Sequence, residues 1–300
     1  MGGAALAPER NGRSAFLSLL RSFLLYRQSK KAREYGHSKE DIFVRILAIG
    51  DVTSPGGVAH LEKNLWRVRR ENKVDLCIVN AENASVVYSY TPEQAERMLL
   101  AGADVLSGGN HTLRQRASYG ILEENEALLR PINFGDGAPG RGYTIVNARG
   151  YNVMVICAMG NVHIDPVLDA PFSFIERALS HEEGRYDLAV LDIHAEATGE
   201  KLAVAYAFDG KISAVFGTHT HVPTADLKIL PEGTGYVSDL GMCGESGGIL
   251  GMEAAGVVKK LRSHLPDRFA PASGEVVADG VIFDIDEASG RTTALRRISF

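Results

Sequence analysis

Polar side chains that could bind a metal ion or transfer a proton follow five apolar runs of this chain, close to where each run ends. Each run is typical of a buried strand that opens into a short polar loop. In open α/β sheets, ligands bind outside the carboxyl ends of the strands, so we expect these side chains to converge. They are Asp51, Glu82, Asn83, Asn110, His111, His194, His219 and His221.

The chemistry of this set indicates bound metal. Mixed carboxylate, amide and imidazole ligands suit iron, manganese or zinc rather than calcium. His219 and His221 are two residues apart, so both imidazoles lie on one side of an extended chain. Two carboxylates, three imidazoles and two amides exceed what one ion needs and fit two ions that share a bridging group. Taken alone, His219 and His221 are nearly as well explained by an ordinary strand end as by a pair of metal ligands. The expected convergence of all five strand ends is what favours a metal site.

The elements that must position these residues alternate between strands and helices from Arg45 onward. Thr91, Pro92 and Gln94 form a helix start with a cap, a proline at the first helical position and a capping box. We predict strands over residues 45–50, 76–80, 104–108, 188–193, 211–217 and 234–239. We predict helices over residues 56–72, 92–101, 173–181, 198–208 and 253–261, and a largely helical segment over 115–129.

Two hairpins complete this pattern. They are predicted over residues 143–158 and 274–298, and the glycine-rich residues 241–251 are predicted to form a loop. Strand–helix alternation in both halves indicates an α/β fold of two sheets packed face to face with helices outside. The candidate residues come from both halves, so we expect one domain over residues 44–300.

Residues 1–43 differ in composition and are expected to form an N-terminal extension. Apolar residues between Ala15 and Tyr26 are flanked by arginines and lysines, as in a basic amphipathic helix that contacts a membrane surface or a partner. Arg21 interrupts the apolar stretch and argues against a secretory signal. We favour a helix that docks on the protein's own body, or a disordered start, over membrane contact.

Composition narrows the class of protein. The chain has 300 residues, 45% of them apolar and 23% charged, which is an ordinary globular composition. The net charge of −5 shows no overall excess of positive charge of the kind that nucleic-acid-binding proteins carry, so no DNA partner is expected. Cys77, Cys157 and Cys243 lack metal-type spacing and are expected to be buried free thiols in a reducing, cytoplasmic compartment. No apolar run is long enough to span a membrane.

Over residues 45–300 the sequence resembles the YmdB-type metallophosphoesterases, a branch of the calcineurin-like phosphoesterase superfamily. The resemblance rests on five short motifs. They are Ile49-Gly50-Asp51, Ala81-Glu82-Asn83, Gly109-Asn110-His111-Thr112, residues 192–198 and Gly217-Thr218-His219-Thr220-His221-Val222. It implies a four-layer αββα sandwich and a di-metal phosphodiesterase whose substrates are small cyclic nucleotides of the 2′,3′-cyclic AMP type.

The resemblance also implies a role for each residue of the set. Asp51, Glu82, Asn83 and His221 would hold one metal ion. Glu82, Asn110, His194 and His219 would hold the other, with Glu82 bridging and with iron or manganese as the ions. A metal-bridging hydroxide would attack phosphorus. His111 would protonate the leaving alkoxide or stabilise its charge. Glu196 is expected to play a supporting rather than a ligating part.

Three segments depart from the family pattern. Thr53 stands where the wider superfamily has a histidine, as in the YmdB-type branch. Leu113-Arg114-Gln115 replaces the usual Trp-Asp-Lys. Residues 85–90 lack the usual glycines and carry two valines and two tyrosines. These departures flank the predicted ligands, so they bear on the substrate rather than on metal binding.

Two other functions stay open at this point. One is a phosphomonoesterase or RNA-end phosphatase, which a comparison of monoester and diester substrates would distinguish. The other is a regulatory protein that binds a nucleotide or RNA without turnover. The expected partner is a small phosphodiester substrate, and the sequence leaves a homo-oligomer open.

Overall fold

A computed structural model describes residues 43–86, 88–266 and 269–300. The predicted N-terminal extension lies outside these residues, apart from Phe43. No helix among the described residues is long and apolar enough to cross a membrane.

Two β-sheets form the centre of the part of the chain that the structure describes. The seven strands of the first sheet are β1 (Phe43–Ile49), β2 (Asp51–Val52), β3 (Leu76–Asn80), β4 (Val105–Ser107), β11 (Met242–Glu245), β12 (Val276–Asp286) and β13 (Thr292–Ser299). Their order is β2-β11-β12-β1-β3-β4, with β13 beside β12. The second sheet contains β5 (Tyr143–Ala148), β6 (Tyr151–Met159), β7 (Leu188–His194), β8 (Ala214–Thr218), β9 (Lys228–Ile229) and β10 (Gly235–Val237). Its order is β5-β6-β7-β8-β10-β9.

Six α-helices and one short 3-10 helix, Arg116–Ser118, accompany the sheets in the described residues. The α-helices are α1 (Pro55–Glu71), α2 (Pro92–Ala101), α3 (Tyr119–Glu124), α4 (Phe172–His181), α5 (Thr198–Ala207) and α6 (Ala254–Ser263). Helices α1 and α2 pack on the outer face of the first sheet, where Leu61 and Leu65 join Leu47 in one apolar cluster. Helices α4 and α5 cover the second sheet, where Ile175 and Val204 join a separate cluster.

Strand β1 shows why the layers form. Val44, Ile46 and Ala48 alternate with Leu47 and Ile49, and all five are buried. The first three face residues of the second sheet, whereas Leu47 and Ile49 face the helices. A strand with apolar residues on both faces needs a layer on each side. The predicted four-layer αββα sandwich is therefore confirmed.

The predicted helix start at Thr91 is confirmed in detail. The Thr91 hydroxyl accepts from the backbone N–H of Gln94 at 3.2 Å, and the Gln94 side chain accepts from the backbone N–H of Thr91 at 2.9 Å. The helix ends where Gly102 adopts a φ of 123°. Both predicted hairpins form, and the three cysteines are buried and free, as expected.

The prediction of a largely helical segment over residues 115–129 is confirmed over residues 116–124 and was wrong at its C-terminal end, residues 125–129. Only Arg116–Ser118 and α3 are helical. The chain then runs beside β4, where Leu106 donates its N–H to Ala127 O and accepts from Leu129 N–H, each at 2.8 Å. These sheet-type hydrogen bonds replace the helical ones.

The prediction of a loop over residues 241–251 missed strand β11. This strand pairs with β12 through Cys243 and Ala278, and with β2 through Met242 and Asp51. Its glycine lets the strand approach β2 closely: a Cβ at Gly244 would lie 1.9 Å from Thr53 Oγ1. Thr53, which follows β2, is buried against this strand.

Candidate metal centre

The predicted site residues meet at one edge of the sandwich, where strands of both sheets end. Asp51 and Glu82 follow β1 and β3 of the first sheet, while His194 and His219 end β7 and follow β8 of the second. Donor atoms of Glu82, His194 and His219 lie within 4.8 Å of one another. The close packing of the two sheets therefore brings together side chains that are more than 110 residues apart in the sequence.

The proton of the His194 imidazole is fixed on Nδ1. Burial lowers the pKa of His194 well below its usual value, so the ring is neutral. Nδ1 lies 2.9 Å from the Thr218 hydroxyl, which donates its one proton to Asp192 Oδ1 at 2.7 Å. Asp192 Oδ2 accepts from Ser107 and Asn80. Burial raises the pKa of Asp192 to about 6, which leaves a carboxylate at neutral pH. Thr218 must therefore accept from Nδ1, and Nε2 carries a lone pair.

Acceptor atoms surround that lone pair. Asn110 Oδ1 lies 3.0 Å from His194 Nε2, and Glu82 Oε2 lies 3.4 Å from it. The Asn110 amide cannot turn its NH₂ group inward without losing a 3.1 Å hydrogen bond from Nδ2 to the carbonyl of Asp165. His219 Nδ1 lies 3.2 Å from the same Nε2, and Glu196 beside Nε2 of His219 favours the proton there. Buried lone pairs that face one another with no proton between them repel each other, and a bound cation would remove that repulsion.

Asp51 gives a second sign of a cation site. It is fully buried, and its Oδ2 accepts from the backbone N–H of His219 at 3.0 Å. Its Oδ1 has no hydrogen-bond partner among the described residues and lies 3.9 Å from His221 Nε2. Burial raises the pKa of Asp51 well above its usual value, and the charge of Glu82 acts in the same direction. The residues present therefore fit a bound metal.

His111 lies at the open side of this cluster. Its Nδ1 is 2.9 Å from Asn83 Oδ1 and 3.2 Å from Glu82 Oε1, and its backbone N–H donates to Glu82 Oε2 at 2.8 Å. Nε2 makes no hydrogen bond to any residue that the structure describes. The side chain is 22% exposed, so this nitrogen is available to a ligand.

Gly109 lets the backbone pass against the cluster. A Cβ at this position would lie 2.3 Å from His194 Nε2 and 2.4 Å from Glu82 Oε2. Both contacts are far below van der Waals distance, and both atoms belong to the donor cluster. The glycine before Asn110 is therefore required by the space that the donor atoms need.

Sequence reasoning missed Lys201 and Asp239. Lys201 is fully buried on α5, and its Nζ donates to Asp239 Oδ2 at 2.9 Å. The signal was present: Lys201 shares the apolar face of its helix with Val204 and Ala205, where a solvated lysine has no place. Asp239 follows a strand end, as the predicted ligands do, but its carboxylate is occupied by hydrogen bonds from Lys201, Thr220 and Gly241.

The four-layer sandwich with a donor cluster at the strand ends of both sheets is that of a metallophosphoesterase. A family model described as YmdB-like protein matches residues 47–298, and the chain belongs to that family. The 2′,3′-cyclic-nucleotide 2′-phosphodiesterase of Bacillus subtilis (strain 168) is 38% identical over 255 residues, which are 85% of this chain and 96% of that protein.

Two solved structures are similar over most of their length. A hypothetical protein from Thermus thermophilus has a TM-score of 0.79 at 35% identity, covering 86% of this chain and 99% of the other. A novel phosphatase from Mycoplasma pneumoniae has a TM-score of 0.80 at 28% identity, covering 86% of this chain and 93% of the other.

Proposed function

We propose that this protein is a metal-dependent phosphodiesterase that hydrolyses small cyclic nucleotides of the 2′,3′-cyclic AMP type. One observation carries the proposal: the lone pair on His194 Nε2 faces acceptor oxygens of Asn110 and Glu82, at 3.0 Å and 3.4 Å, with no proton between them. Such a cluster has one common use in a metallophosphoesterase fold, which is to hold the metal that acts on a phosphate ester.

We assign the donors to two ions. Asp51, Glu82, Asn83 and His221 would hold one, and Glu82, Asn110, His194 and His219 the other, with Glu82 shared. Iron or manganese suits these nitrogen and oxygen ligands. Bound metal would supply Lewis acidity toward the phosphate oxygens and a water activated near neutral pH.

His111 is the proposed catalytic residue. Asn83 Oδ1 accepts the Nδ1 proton and so fixes the orientation of the ring, which leaves Nε2 directed away from the donor cluster. A proton on Nε2 can be donated to the alkoxide that leaves when the cyclic ester opens. Its partial exposure lets this nitrogen contact a substrate, whereas His194 is buried and cannot.

The choice of substrate is supported by the Bacillus subtilis relative, whose name states a 2′,3′-cyclic-nucleotide 2′-phosphodiesterase. Phosphatase activity at monoesters is the competing interpretation, because the Mycoplasma pneumoniae structure is that of a phosphatase. Both reactions use the same donor cluster, so only the product distinguishes them.

The test is to load the full chain with manganese and supply 2′,3′-cyclic AMP and adenosine 3′-monophosphate in parallel. The proposal expects opening of the cyclic ester to a monophosphate, with little release of inorganic phosphate from either substrate. Rapid release of phosphate from the monoester without opening of the cyclic ester would identify a monoesterase instead. Nucleotide binding without any turnover would identify a regulatory protein.

A further inference from the structure

The phenol ring of Tyr88 lies against the imidazole of His111. The two ring centroids are 4.3 Å apart and the ring planes make an angle of 31°. Tyr88 is 49% exposed, so one part of the ring covers His111 and the rest is open to solvent. An aromatic surface therefore continues outward from the proposed catalytic imidazole.

The turn that carries Tyr88 is fixed to the segment that follows His111. Gln115 Nε2 donates to the carbonyl of Tyr88 at 2.6 Å and to Ser85 Oγ at 3.1 Å. Ser89 Oγ donates to the carbonyl of Thr112 at 2.7 Å. The two segments that depart from the family pattern thus form one hydrogen-bonded unit beside the site.

This unit holds an unfavourable backbone conformation. Tyr88 and Ser89 have φ values of 58° and 56°, a left-handed region that residues with a side chain rarely adopt. Such strain persists only where the surroundings enforce it. Here the buried Ser89 supplies the anchor, since its carbonyl also accepts from the N–H of Ser85 at 2.9 Å. The strained turn places the Tyr88 ring against the imidazole of His111.

We propose that Tyr88 stacks on the nucleobase of the substrate, so that the site recognises the base as well as the phosphate. This inference rests on the proposed function. In a 2′,3′-cyclic nucleotide the base is attached to C1′, next to the C2′ that carries the phosphate. A phosphate at His111 therefore leaves the base one sugar ring away, and Tyr88, whose ring centroid lies 4.3 Å from that of His111, offers the base an exposed aromatic face. Stacking accepts every base, and larger purines overlap more with a tyrosine than pyrimidines do.

The experiment compares two cyclic esters that differ in the base. One is 2′,3′-cyclic AMP, and the other is glycerol 1,2-cyclic phosphate, which has the same five-membered ring without a base. Tyr88→Asn removes the aromatic ring while keeping a residue that tolerates the left-handed region. Tyr88→Phe keeps the ring and removes the hydroxyl. Tyr206→Asn is the matched control, because Tyr206 is 53% exposed and lies on α5, outside the site.

Base stacking predicts that Tyr88→Asn lowers the ratio of kcat/KM for 2′,3′-cyclic AMP to that for the glycerol ester by roughly tenfold. The loss is expected mainly in KM and smaller for 2′,3′-cyclic CMP. Tyr88→Phe and Tyr206→Asn are expected to keep the parent ratio within about twofold. An unchanged ratio in Tyr88→Asn, with both esters slowed equally in kcat, would overturn the inference and make Tyr88 a positioning residue for His111.

Calorimetric binding of adenosine 3′-monophosphate to the manganese-loaded protein separates this inference from the proposed function. If the parent hydrolyses neither ester, the proposed function fails. Roughly tenfold weaker nucleotide binding in Tyr88→Asn but not in Tyr88→Phe would still support stacking. Equal affinity in the parent and Tyr88→Asn would overturn it.

Discussion

The carboxylate of Asp239 joins a buried lysine to the backbone between two proposed metal ligands. Its Oδ2 accepts from Lys201 Nζ at 2.9 Å and from the N–H of Thr220 at 3.0 Å. His219 and His221, on either side of Thr220, have φ values of 105° and 62°. This left-handed conformation is costly for histidine, so an ion pair beneath the loop is well placed to enforce it.

Lys201→Met is expected to destabilise the protein and weaken metal binding. It leaves Asp239 buried without its cation, a change that costs about 3–5 kcal/mol of unfolding free energy. Urea unfolding of the metal-free protein and manganese titration measure the two effects. Lys211→Met, at an exposed lysine, is the control. Unchanged stability in Lys201→Met would show that the ion pair does not support the loop.

Gly109→Ala is expected to abolish metal binding, with metal content falling below about one-tenth of the parent's, because the added methyl group occupies the space between His194 and Glu82. Metal analysis after manganese loading and desalting measures the effect. Gly120→Ala is the matched control, since a Cβ at Gly120 meets nothing within 4 Å. Full metal content in Gly109→Ala would argue against these donors as ligands.

Asp192→Asn is expected to move the proton of His194 from Nδ1 to Nε2. Oδ2 of Asp192 accepts two hydrogen bonds, so the introduced NH₂ group would face Thr218 and turn its hydroxyl proton toward Nδ1. Manganese affinity should fall about 10–100-fold.

The ¹⁵N shifts of the His194 ring in metal-free protein report the proton directly, and Asp136→Asn at an exposed position is the control. A proton that stays on Nδ1, together with parent-like affinity, would rule out this relay.

Chelation of the metal is expected to lower the melting temperature by about 5–10 °C, since a ligand at 100 times its Kd adds about 2.7 kcal/mol and 1 kcal/mol moves Tm by about 2–4 °C in a domain of this size. Calorimetry with and without excess manganese measures the shift. His111→Ala should keep the shift, because His111 is not an assigned ligand, and Glu82→Gln should lose most of it. An equal shift in Glu82→Gln would place the metal elsewhere.

The fold was largely predictable because short sequence patterns specify the individual helices and strands, and these elements then pack into the four layers. The Thr91 capping box and the alternation of buried residues in β1 each need only a few neighbouring residues to be recognised. The end of the segment over 115–129 and the strand within 241–251 were not predicted. Residues 127–129 bond to β4 and β11 pairs with β12, and both are contacts between elements that are separated in the sequence.

The strand-end residues of the site were predictable because each follows an apolar run that is itself recognisable as a strand. The groups that support them were not, because each acts through a contact between separate elements. Lys201 on α5 reaches Asp239 after β10, and Gln115 reaches the turn at Tyr88. The sequence shows which residues could do chemistry, and the packing decides which others hold them in place.

The most direct test of the account measures metal content and 2′,3′-cyclic AMP hydrolysis together in the parent, Glu82→Gln and His111→Ala. We expect the parent to bind manganese and turn over, Glu82→Gln to lose both, and His111→Ala to keep its metal while losing about 10²–10⁴-fold in kcat. Parent-like metal content and turnover in Glu82→Gln would contradict the account, because the carboxylate at the centre of the cluster would then serve neither binding nor catalysis.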